Sequence, residues 1–589
     1  MNSKTAKNIL KLNFGYSSFR KGQLEIIENI LEKKDTLGIM PTGGGKSICY
    51  QIPAIILDGI TIVVSPLISL MKDQVDALLN TGIKATYINS SLTYSQTNEI
   101  LDDIIKGKYK IIYIAPERLS NYDFFDKIRI VKISQIVVDE AHCISQWGHD
   151  FRKSYLNIPH FIKKLDQNIV VSAFTATATS VVRDDIARNL NINPDLFLNS
   201  FDRENLKFLL VKGVDSLSYI KKYLKQNSGK SGIIYASTRK EVDKIFEELK
   251  IRKYKIGKYH AGLSDKDRDF YQTKFINEEL DLIVATNAFG MGIDKSNVRF
   301  VIHNNLPKDL ESYYQEAGRA GRDGLPSEAI LIFNPKDIRT QRYFIENSEF
   351  ETSESVIEEK YNKLSLMTNY CHTTKCLRSY ILEYFGDPAI ENCKNCSNCL
   401  FDGDEENITI DAQKIISAVL RTKGRFGINT IVGMLWGSKN KNILKYGLES
   451  QSTYGIMSIY SQKEIRALVD LLIGDEYLTT SNDEYPRLIV LKKGYDFIKN
   501  REVLFRKIPK VKKAISEDNY EEFEKLRLLR FKIAKEIGKP PFTVFSDSTL
   551  YQMVKFKPIT KEEMLEISGV GEYKFEQYGK RFMELIKTF

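Results

Sequence analysis

The sequence Met40-Pro41-Thr42-Gly43-Gly44-Gly45-Lys46-Ser47 lies between a short apolar segment, 37–39, and a segment with helical character, 48–52. Consecutive glycines allow backbone N–H groups to surround anionic phosphates, and the N-terminus of the following helix adds a favourable dipole. The lysine of such a loop reaches the β- and γ-phosphates, and the serine hydroxyl binds Mg²⁺. Met40 replaces the first glycine of the strict motif, so the three glycines must form the tight turn. A glycine-rich surface turn is the alternative. The candidate contacts of a nucleoside triphosphate are Thr42, Gly43, Gly44, Gly45, Lys46 and Ser47.

The composition is that of a folded protein without secretion or membrane-spanning segments. Its 589 residues suggest roughly four domains at about 150 residues each. The net charge of +10 permits a nucleic-acid partner but does not establish one. The first residues lack an apolar signal segment, no run of about 18 apolar residues occurs, and seven cysteines do not suggest a disulfide framework. We therefore expect a cytoplasmic protein with no membrane association.

A second group of candidate nucleotide contacts precedes this loop. Residues 15–23 contain Tyr16, Arg20 and Gln23 just before an amphipathic helical pattern. A carboxamide can pair with the amino group and a ring nitrogen of adenine at once, and an aromatic face and a guanidinium can enclose the ring. The segment predicts an adenine site, and a plain loop with a buried aromatic residue is the alternative.

Short apolar runs alternate with helical stretches in the first part of the chain. They lie at 37–39, 60–64, 110–114, 135–138 and 169–172. Continuous rather than alternating apolar runs are typical of a parallel sheet covered on both faces. Each run ends in a polar loop, and ligands of such sheets bind at the carboxyl ends of the strands. The loops are therefore predicted to form one site.

Two adjacent acids, Asp139 and Glu140, follow one of these strands directly. A carboxylate at the end of a buried strand can hold Mg²⁺, and a second one can orient and deprotonate the attacking water. We assign Asp139, with Ser47, to the metal and Glu140 to the water. The alternative is a chance pair of acids at a helix N-terminus.

The residues after the acidic pair carry a family resemblance. Residues 139–142 read Asp-Glu-Ala-His, and the loop that follows contains Trp147, Phe151 and Arg152. The combination resembles the RecQ family of DNA helicases, in which this loop senses single-stranded DNA and couples it to ATP hydrolysis. The resemblance implies that these three residues contact DNA. Stacking of a base on an aromatic ring contributes about 1–3 kcal/mol. The alternative is that Trp147 and Phe151 are core aromatic residues.

A second α/β unit follows, with no second phosphate-binding loop. Its apolar runs lie at 232–235, 281–285, 300–303 and 329–333. The glycine-punctuated loop 314–324 resembles helicase motif VI and carries Arg319 and Arg322. Arginines there can neutralise transition-state charge on a triphosphate held by the other unit. Arg322 is the first candidate for this role and Arg319 the second, and a solvated basic turn is the alternative. The segments at Thr177, 237–239 and 289–294 resemble motifs III, IV and V.

Four cysteines near the middle of the chain have metal-ligand spacing. They are Cys376, Cys393, Cys396 and Cys399. Closely spaced thiolates can form a knuckle while a distant one arrives from a helix, which suits tetrahedral Zn²⁺. The RecQ family carries the same pattern with the same gap. Four filled positions predict a structural zinc and disfavour a redox disulfide. The alternatives are an iron–sulfur cluster, or Cys371 or His372 in place of Cys376.

Residues after about 406 suit a winged helix, because helical segments precede two strand-like runs, 476–480 and 488–491. Tyr485, in the turn between them, is a candidate separation pin. Opening a base-pair step costs about 1.4 kcal/mol, and stacking one base on an aromatic ring returns a similar amount. A set of basic and aromatic residues suits duplex phosphates, with a solvated face as the alternative. The set is Arg421, Lys423, Arg425, Lys439, Lys441, Lys445 and Tyr446.

Residues 507–513 read as a charged linker, and the helical segment beyond them resembles the HRDC domain of RecQ proteins and ribonuclease D. The resemblance rests on 526–530 and 567–574. The Gly-Val-Gly turn at 569–571 either cradles a phosphate or caps the helix after it.

Together these features predict an α/β multidomain protein. Its units are two RecA-like parallel-sheet lobes (1–200 and 201–335), a zinc-binding helical module (336–405), a winged helix (406–510) and a small all-helical HRDC-like domain (511–589). The resemblance implies an ATP-dependent 3′-to-5′ DNA helicase that unwinds duplex or branched DNA in recombination, repair and the SOS response. ATP, Mg²⁺ and Zn²⁺ are the expected cofactors. A single-stranded-DNA-binding protein is a candidate partner, and the nucleoid is the expected location. The alternatives are a DEAH-type RNA helicase and a DNA-junction-binding factor that uses ATP only as a switch.

Overall fold

The computed structural model describes residues 2–41, 43–148, 150–289, 295–347, 354–401, 403–481, 486–509 and 520–588. Two predicted site residues, Thr42 and Tyr485, lie outside these ranges, as do residues 290–294 of the motif V-like segment. Among the described residues, no helix is both long enough and apolar enough to cross a lipid bilayer.

The first lobe is a seven-stranded parallel sheet in the order β3-β4-β2-β5-β6-β1-β7. The strands are β1 (Thr36–Ile39), β2 (Ile60–Val64), β3 (Ala85–Ile88), β4 (Ile111–Ile114), β5 (Ile133–Val138), β6 (Val170–Thr175) and β7 (Asp195–Leu198). The α-helices are Asn2–Ile9, Gln23–Leu31, Lys46–Ile56, Ile68–Leu79, Tyr94–Ile105, Tyr122–Ile128, Ile158–Leu165 and Ser180–Leu190. Single turns of 3₁₀ or π helix are Leu10–Phe14, Pro116–Ser120, Ala141–Ile144 and Lys153–Asn157.

The predicted parallel sheet is confirmed, and its strands are apolar because both faces are covered. In β2 the neighbouring residues Ile62 and Val63 belong to two different hydrophobic cores, one on each face, and both are fully buried. Strands β1, β6 and β5 are neighbours. The loops that follow their carboxyl ends therefore meet at one edge of the sheet.

The second lobe is a six-stranded parallel sheet in the order β10-β11-β9-β12-β13-β8. Its strands are β8 (Leu206–Lys212), β9 (Gly232–Tyr235), β10 (Ile256–Tyr259), β11 (Leu282–Ala285), β12 (Phe300–His303) and β13 (Ser327–Phe333). Its helices are Ser216–Gln226, Arg239–Lys250, Asp265–Ile276 and Leu310–Ala317. The helix Leu310–Ala317 leads directly into the loop that carries Arg319 and Arg322.

The zinc module consists of helices Lys336–Glu346, Glu354–His372 and Leu377–Phe385, followed by the cysteine knuckle. It is joined to the second lobe, because the Ser397 N–H donates to the carbonyl of Phe208 at 2.9 Å. It also braces the connection between the lobes. The carboxylate of Asp387 accepts from the Phe201 N–H at 2.6 Å, and the rings of Phe201 and Phe385 stack at 4.3 Å.

The winged-helix unit contains helices Thr409–Arg421, Ile428–Trp436, Lys441–Lys445, Gln462–Gly474 and Lys492–Asn500 and the 3₁₀ turn Leu448–Ser450. Its strands are β14 (Gly403–Asn407), β15 (Leu478–Thr480), β16 (Leu488–Val490) and β17 (Phe505–Pro509). The pairs β15–β16 and β14–β17 are antiparallel. Residues 507–509 thus belong to a strand, and the prediction of a charged linker from residue 507 was wrong for them. The expected boundary at 405/406 falls inside β14.

The C-terminal unit is helical and has its own apolar core. Its helices are Tyr520–Ile537, Pro541–Val544, Asp547–Phe556, Lys561–Glu566, Glu572–Lys574 and Lys580–Ile586, with the π turn Phe575–Gly579. It packs against both lobes. Gly571 approaches Gly15 of the first lobe so closely that a Cβ on Gly571 would lie 3.2 Å from the Gly15 Cα.

Candidate nucleotide cleft, DNA contacts and zinc centre

The phosphate-binding loop adopts a conformation that requires glycine. Gly43 and Gly45 have φ angles of 83° and 80°, and the Gly44 N–H donates to the Pro41 carbonyl at 2.8 Å. A Cβ on Gly45 would lie 2.4 Å from Nε2 of Gln23. Lys46 and Ser47 then begin the helix Lys46–Ile56. The loop therefore ends at a helix N-terminus, where an anionic phosphate is favoured.

The two adjacent acids lie at the end of β5, as predicted. Glu140 is held in the left-handed region with φ 46°, a strained conformation for a residue with a Cβ. Its Oε1 is 3.5 Å from Nζ of Lys46, and each of these side chains is 16% exposed. Its Oε2 is buried and accepts no hydrogen bond within the described residues. The structure thus brings the strained carboxylate of Glu140 next to Lys46, as the predicted site requires.

Burial and charge set the electrostatics of this pair. Burial, with the negative charge of Glu140 beside it, raises the pKa of Asp139 to about 6. Nδ1 of His142 lies 3.4 Å from Oε2 of Glu140 and 2.8 Å from Oγ1 of Thr175 at the end of β6. The Tyr155 hydroxyl donates to the Asp139 carbonyl at 2.9 Å. A magnesium ion would relieve the crowding of negative charge, so the donor set fits a divalent cation.

The three candidate adenine contacts adjoin the phosphate-binding loop. Tyr16, Arg20 and Gln23 all line the same cavity. The guanidinium of Arg20 donates to the Gly43 carbonyl. The Gln23 amide accepts from the Arg20 N–H at 2.8 Å and donates to the Gly45 carbonyl at 3.1 Å. Both polar ends of Gln23 are thus engaged by the chain itself, and its pairing with adenine stays a prediction.

The second lobe delivers its two arginines to the same space. A cavity of about 550 Å³ is lined by Lys46 and Glu140 from one lobe and by Arg319 and Arg322 from the other. A Cβ on Gly43 would lie 3.5 Å from the Cα and Cγ of Arg322. The motif VI-like loop therefore packs directly on the phosphate-binding loop.

No pattern in the sequence indicated that the C-terminal unit also reaches this cavity. Phe542, Ser546 and Ser568 line it together with the residues of both lobes. Ser568 immediately precedes the Gly-Val-Gly turn, and Gly571 of that turn packs against Gly15. The turn is used for close packing on the first lobe.

A buried ion cluster attaches the C-terminal unit to the second lobe. The guanidinium of Arg530 is fully buried and donates to both carboxylate oxygens of Glu278, at 2.8 and 3.1 Å. It also donates to Asp547 at 2.7 Å. Arg527 adds a longer contact to Glu278 at 3.8 Å. Both bonds to Glu278 come from Nη2 and the bond to Asp547 comes from Nη1, so one guanidinium joins two carboxylates by charge-assisted hydrogen bonds.

Among the described candidate DNA contacts, Trp147 lines a second cavity. Trp147 lines a space of about 510 Å³ between the lobes, and its ring is half-buried against the main core. Phe151 is also half-buried. Arg152 is used within the lobe, since it donates to Asp150 at 3.1 Å and to the Pro66 carbonyl at 2.7 Å. Trp147 is thus the candidate best placed between the lobes.

The basic set of the winged helix lies at the surface. Its seven members are all exposed: Arg421, Lys423, Arg425, Lys439, Lys441, Lys445 and Tyr446. Nζ of Lys445 lies 5.4 Å from the centre of the Tyr446 ring. An exposed cluster of this kind is compatible both with duplex phosphates and with a solvated face.

The four predicted zinc ligands are brought together. The Sγ atoms of Cys376, Cys393, Cys396 and Cys399 all lie within 4.8 Å of one another. Cys376 caps the helix Leu377–Phe385, and its sulfur accepts from the Ser379 N–H at 3.4 Å. Cys396 accepts in the same way from the Cys399 N–H. Four converging thiols fit tetrahedral Zn²⁺, and their backbone N–H partners favour the thiolate form.

The spare candidates for the metal do not join this cluster. Cys371 and His372 are the last residues of the helix Glu354–His372, and the group of converging ligands does not include them. The ring of His372 packs edge-on against Phe333 at 5.0 Å, and burial lowers its pKa to about 3. His372 is therefore a half-buried residue held in its neutral form.

Five family models match consecutive parts of the chain. They are the DEAD/DEAH box helicase (20–185), the helicase conserved C-terminal domain (215–324), RecQ zinc-binding (335–400), the RQC domain (403–514) and the HRDC domain (521–586). The ATP-dependent DNA helicase RecQ of Bacillus subtilis (strain 168) is 47% identical over 99% of this chain and 98% of its own length. Proteins of the same name from Haemophilus influenzae and Pasteurella multocida are 40% and 39% identical over 99% of this chain, and over 96% and 94% of their own lengths. This chain belongs to the RecQ family of ATP-dependent DNA helicases.

Proposed function

We propose that this protein moves 3′ to 5′ along single-stranded DNA and unwinds duplex or branched DNA in recombination and repair, using ATP. The observation that carries the proposal is the shared cavity. Lys46 and Glu140 of one lobe and Arg322 of the other line one space of about 550 Å³. Membership of the RecQ family supports DNA as the strand that the motor follows.

Each residue of the cleft has a proposed role. Lys46 binds the β- and γ-phosphates, and Arg322, with Arg319 as second candidate, neutralises charge that develops in the transition state. Glu140 orients and deprotonates the attacking water. Ser47 and Asp139 hold Mg²⁺, which neutralises phosphate charge when bound. The 3.5 Å separation of Lys46 and Glu140 and their burial support this assignment.

Movement follows from a cleft shared between two lobes. Bound ATP contacts both lobes and favours the closed arrangement, and hydrolysis removes those contacts. If each lobe grips the strand differently in the two arrangements, every cycle advances the protein. The grip comes from phosphate contacts and base stacking, with Trp147, Phe151 and Arg152 as the proposed contacts. Substrate choice then depends on DNA shape and tails rather than on base sequence.

Zinc has a structural role in this proposal. Four thiolates fill a tetrahedral site and leave no position for a catalytic water. The ion would hold the knuckle next to the second lobe, where Ser397 pairs with Phe208. We also propose that the protein acts at the nucleoid, with a single-stranded-DNA-binding protein as a partner that supplies its strand.

The test is strand displacement on duplexes with either a 3′ or a 5′ single-stranded tail. The wild type should unwind the 3′-tailed duplex when ATP is present, and Lys46→Ala should not. Lys34→Ala is the matched control, because Lys34 is an exposed lysine of the same lobe, paired with Glu32. DNA binding without displacement would support the ATP-switched junction factor. ATP hydrolysis stimulated by RNA and not by DNA would support the RNA helicase.

A further inference from the structure

The ammonium group of Lys363 connects three units of the molecule. Lys363 lies on the helix Glu354–His372 of the zinc module. Its Nζ donates to the backbone carbonyl of Trp147, in the first lobe, at 2.8 Å. The same Nζ pairs with Oε1 of Glu311, in the second lobe, at 2.8 Å. One charged group therefore holds the aromatic loop to the opposite lobe.

The contact is protected from water, which makes it strong. The side chains of Lys363 and Glu311 are 12% and 4% exposed. Hydrogen bonds of a charged donor are shorter and stronger than neutral ones, and low local polarity strengthens them further. The contact is therefore a firm restraint on the loop, in contrast to an exposed surface ion pair.

Both partners of Lys363 lead to the nucleotide cleft. Trp147 follows Glu140 in the loop after β5. Glu311 lies in the helix Leu310–Ala317, which continues into the loop of Arg319 and Arg322. Trp147 and Lys363 also line the 510 Å³ cavity between the lobes, which gives the indole ring room to change position. A change in the position of the aromatic loop is thus connected to residues on both sides of the nucleotide cleft.

We propose that Lys363 is a positioning residue that holds the aromatic loop, residues 145–148, in the arrangement of this structure, and that single-stranded DNA stimulates ATP hydrolysis by taking the loop out of this contact. The inference rests on the proposed function and adds one residue to it: Lys363 determines how strongly single-stranded DNA stimulates ATP hydrolysis. An interaction made in one arrangement of the loop and not in the other sets the balance between them. Its removal should therefore favour the DNA-engaged arrangement before DNA is added.

The fluorescence of Trp147 can report the arrangement of the aromatic loop. The chain contains two tryptophans, Trp147 and Trp436. In a Trp436→Phe parent, the fluorescence of Trp147 can be recorded with and without a single-stranded oligo-dT. Lys363→Met removes the ammonium and keeps most of the apolar stem. The matched control is Lys360→Met. Lys360 lies one turn earlier on the same helix and lines the same cavity, but within the described residues it makes no hydrogen bond to the loop.

Two quantities are measured in the full-length protein: Trp147 emission without DNA, and the ratio of ATP hydrolysis with saturating oligo-dT to hydrolysis without it. For Lys363→Met we expect the emission to match that of the DNA-saturated parent. We expect the ratio to fall at least about tenfold, which corresponds to about 1.4 kcal/mol. Lys360→Met should keep the parent's emission and ratio. Because Lys363→Met leaves Glu311 buried without its partner, the double variant Lys363→Met/Glu311→Gln is measured as well and should show the same two changes.

Parent values of both quantities in Lys363→Met and in the double variant would overturn the proposal. A reduced ratio with unchanged emission would also overturn it, because Lys363 would then act without holding the loop. A parent protein that DNA does not stimulate would contradict the proposed function itself, which separates that failure from failure of the inference.

Discussion

The zinc centre and the nucleotide cleft are built in opposite ways. The zinc ligands all lie between Cys376 and Cys399 and converge within 4.8 Å. The cleft collects Tyr16, Lys46, Arg322 and Ser568 from three units that are far apart in the chain. A site made from one short segment is fixed as soon as that segment folds. A site assembled from separate units changes whenever the units move, which is what a motor requires.

The largest expected effect concerns the part of the cleft that the second lobe supplies. Arg322→Ala should lower kcat for DNA-stimulated ATP hydrolysis by about 10³-fold, the lower end of the range for an arginine finger. Binding of a fluorescent ATP analogue should change little, because Lys46 and the glycine loop remain. Arg339→Ala is the control, because Arg339 is an exposed arginine of the helix Lys336–Glu346 in the zinc module. A fall in kcat of less than tenfold would show that ATP hydrolysis in the cleft does not depend on Arg322 of the second lobe.

Loss of zinc should affect the zinc module far more than the nucleotide cleft. Removal of the metal with a chelator should lower the free energy of unfolding by several kcal/mol, since structural zinc binds with about 10–16 kcal/mol in zinc-finger peptides. ATP binding at Lys46 should be affected far less. Cys396→Ser should lose zinc, while Cys371→Ser, at a buried cysteine outside the cluster, should keep it. Elemental analysis and thermal unfolding measure both effects, and iron in the purified protein would contradict the zinc assignment.

The attachment of the C-terminal unit tests how far the cleft depends on distant contacts. Arg530→Met breaks a fully buried ion pair, which typically costs about 3–5 kcal/mol. Glu278 keeps the Asn297 amide at 2.8 Å and the longer contacts to Lys295 and Arg527. We expect the unit to undock, with protease cleavage between it and the winged helix faster by more than about tenfold, and the KM for ATP to rise. Arg581→Met is the control, because its pair with Glu536 is exposed and lies within the unit. Equal cleavage rates would mean that the cluster does not hold the unit in place.

The smallest expected effect is on the pH dependence of stability. It concerns His372, which the structure leaves out of the group of zinc ligands. Burial lowers the pKa of His372 to about 3 from 6.5. The unfolded chain therefore binds a proton below pH 6.5 that the folded chain excludes, so this stability is present above pH 6.5 and is lost as the pH falls toward 3. Between pH 7.5 and 5.5 the loss is about 1.4 kcal/mol.

His372→Gln should abolish that part of the pH dependence. Urea unfolding of the wild type and the variant at the two pH values measures it, and the groups common to both proteins cancel in the comparison. Equal losses in the two proteins would mean that His372 takes up a proton in the folded state as readily as in the unfolded chain.

Local patterns in the sequence predicted most of the fold and the zinc site. Continuous apolar runs identified five strands of the first sheet, because a strand covered on both faces has no side that faces solvent. The spacing of Cys393, Cys396 and Cys399 identified the knuckle, because closely spaced thiolates can bind one metal ion. The acidic pair and the phosphate-binding loop meet because both follow parallel strands. The two edge strands were missed: Thr86 interrupts β3, and most residues of β7 are exposed.

Contacts between distant segments could not be predicted. Arg530 and Glu278 are ordinary charged residues of helical and loop segments, and nothing near either one indicates its partner. The same holds for Lys363 and the Trp147 carbonyl, because a backbone oxygen has no sequence signal at all. Arg152 combines both cases. Its place beside aromatic residues predicts a DNA contact, which stays a prediction, whereas its hydrogen bonds to Asp150 and to the Pro66 carbonyl had no sequence signal.

The wall that Phe542, Ser546 and Ser568 contribute to the cleft has a consequence for the order of synthesis. The glycine loop leaves the ribosome long before these residues are translated. While the two lobes fold on the ribosome, the space beside Lys46 stays open to the solvent on that side. The cleft therefore takes the shape seen in the full-length protein only after the C-terminal unit has been translated and has docked on the two lobes.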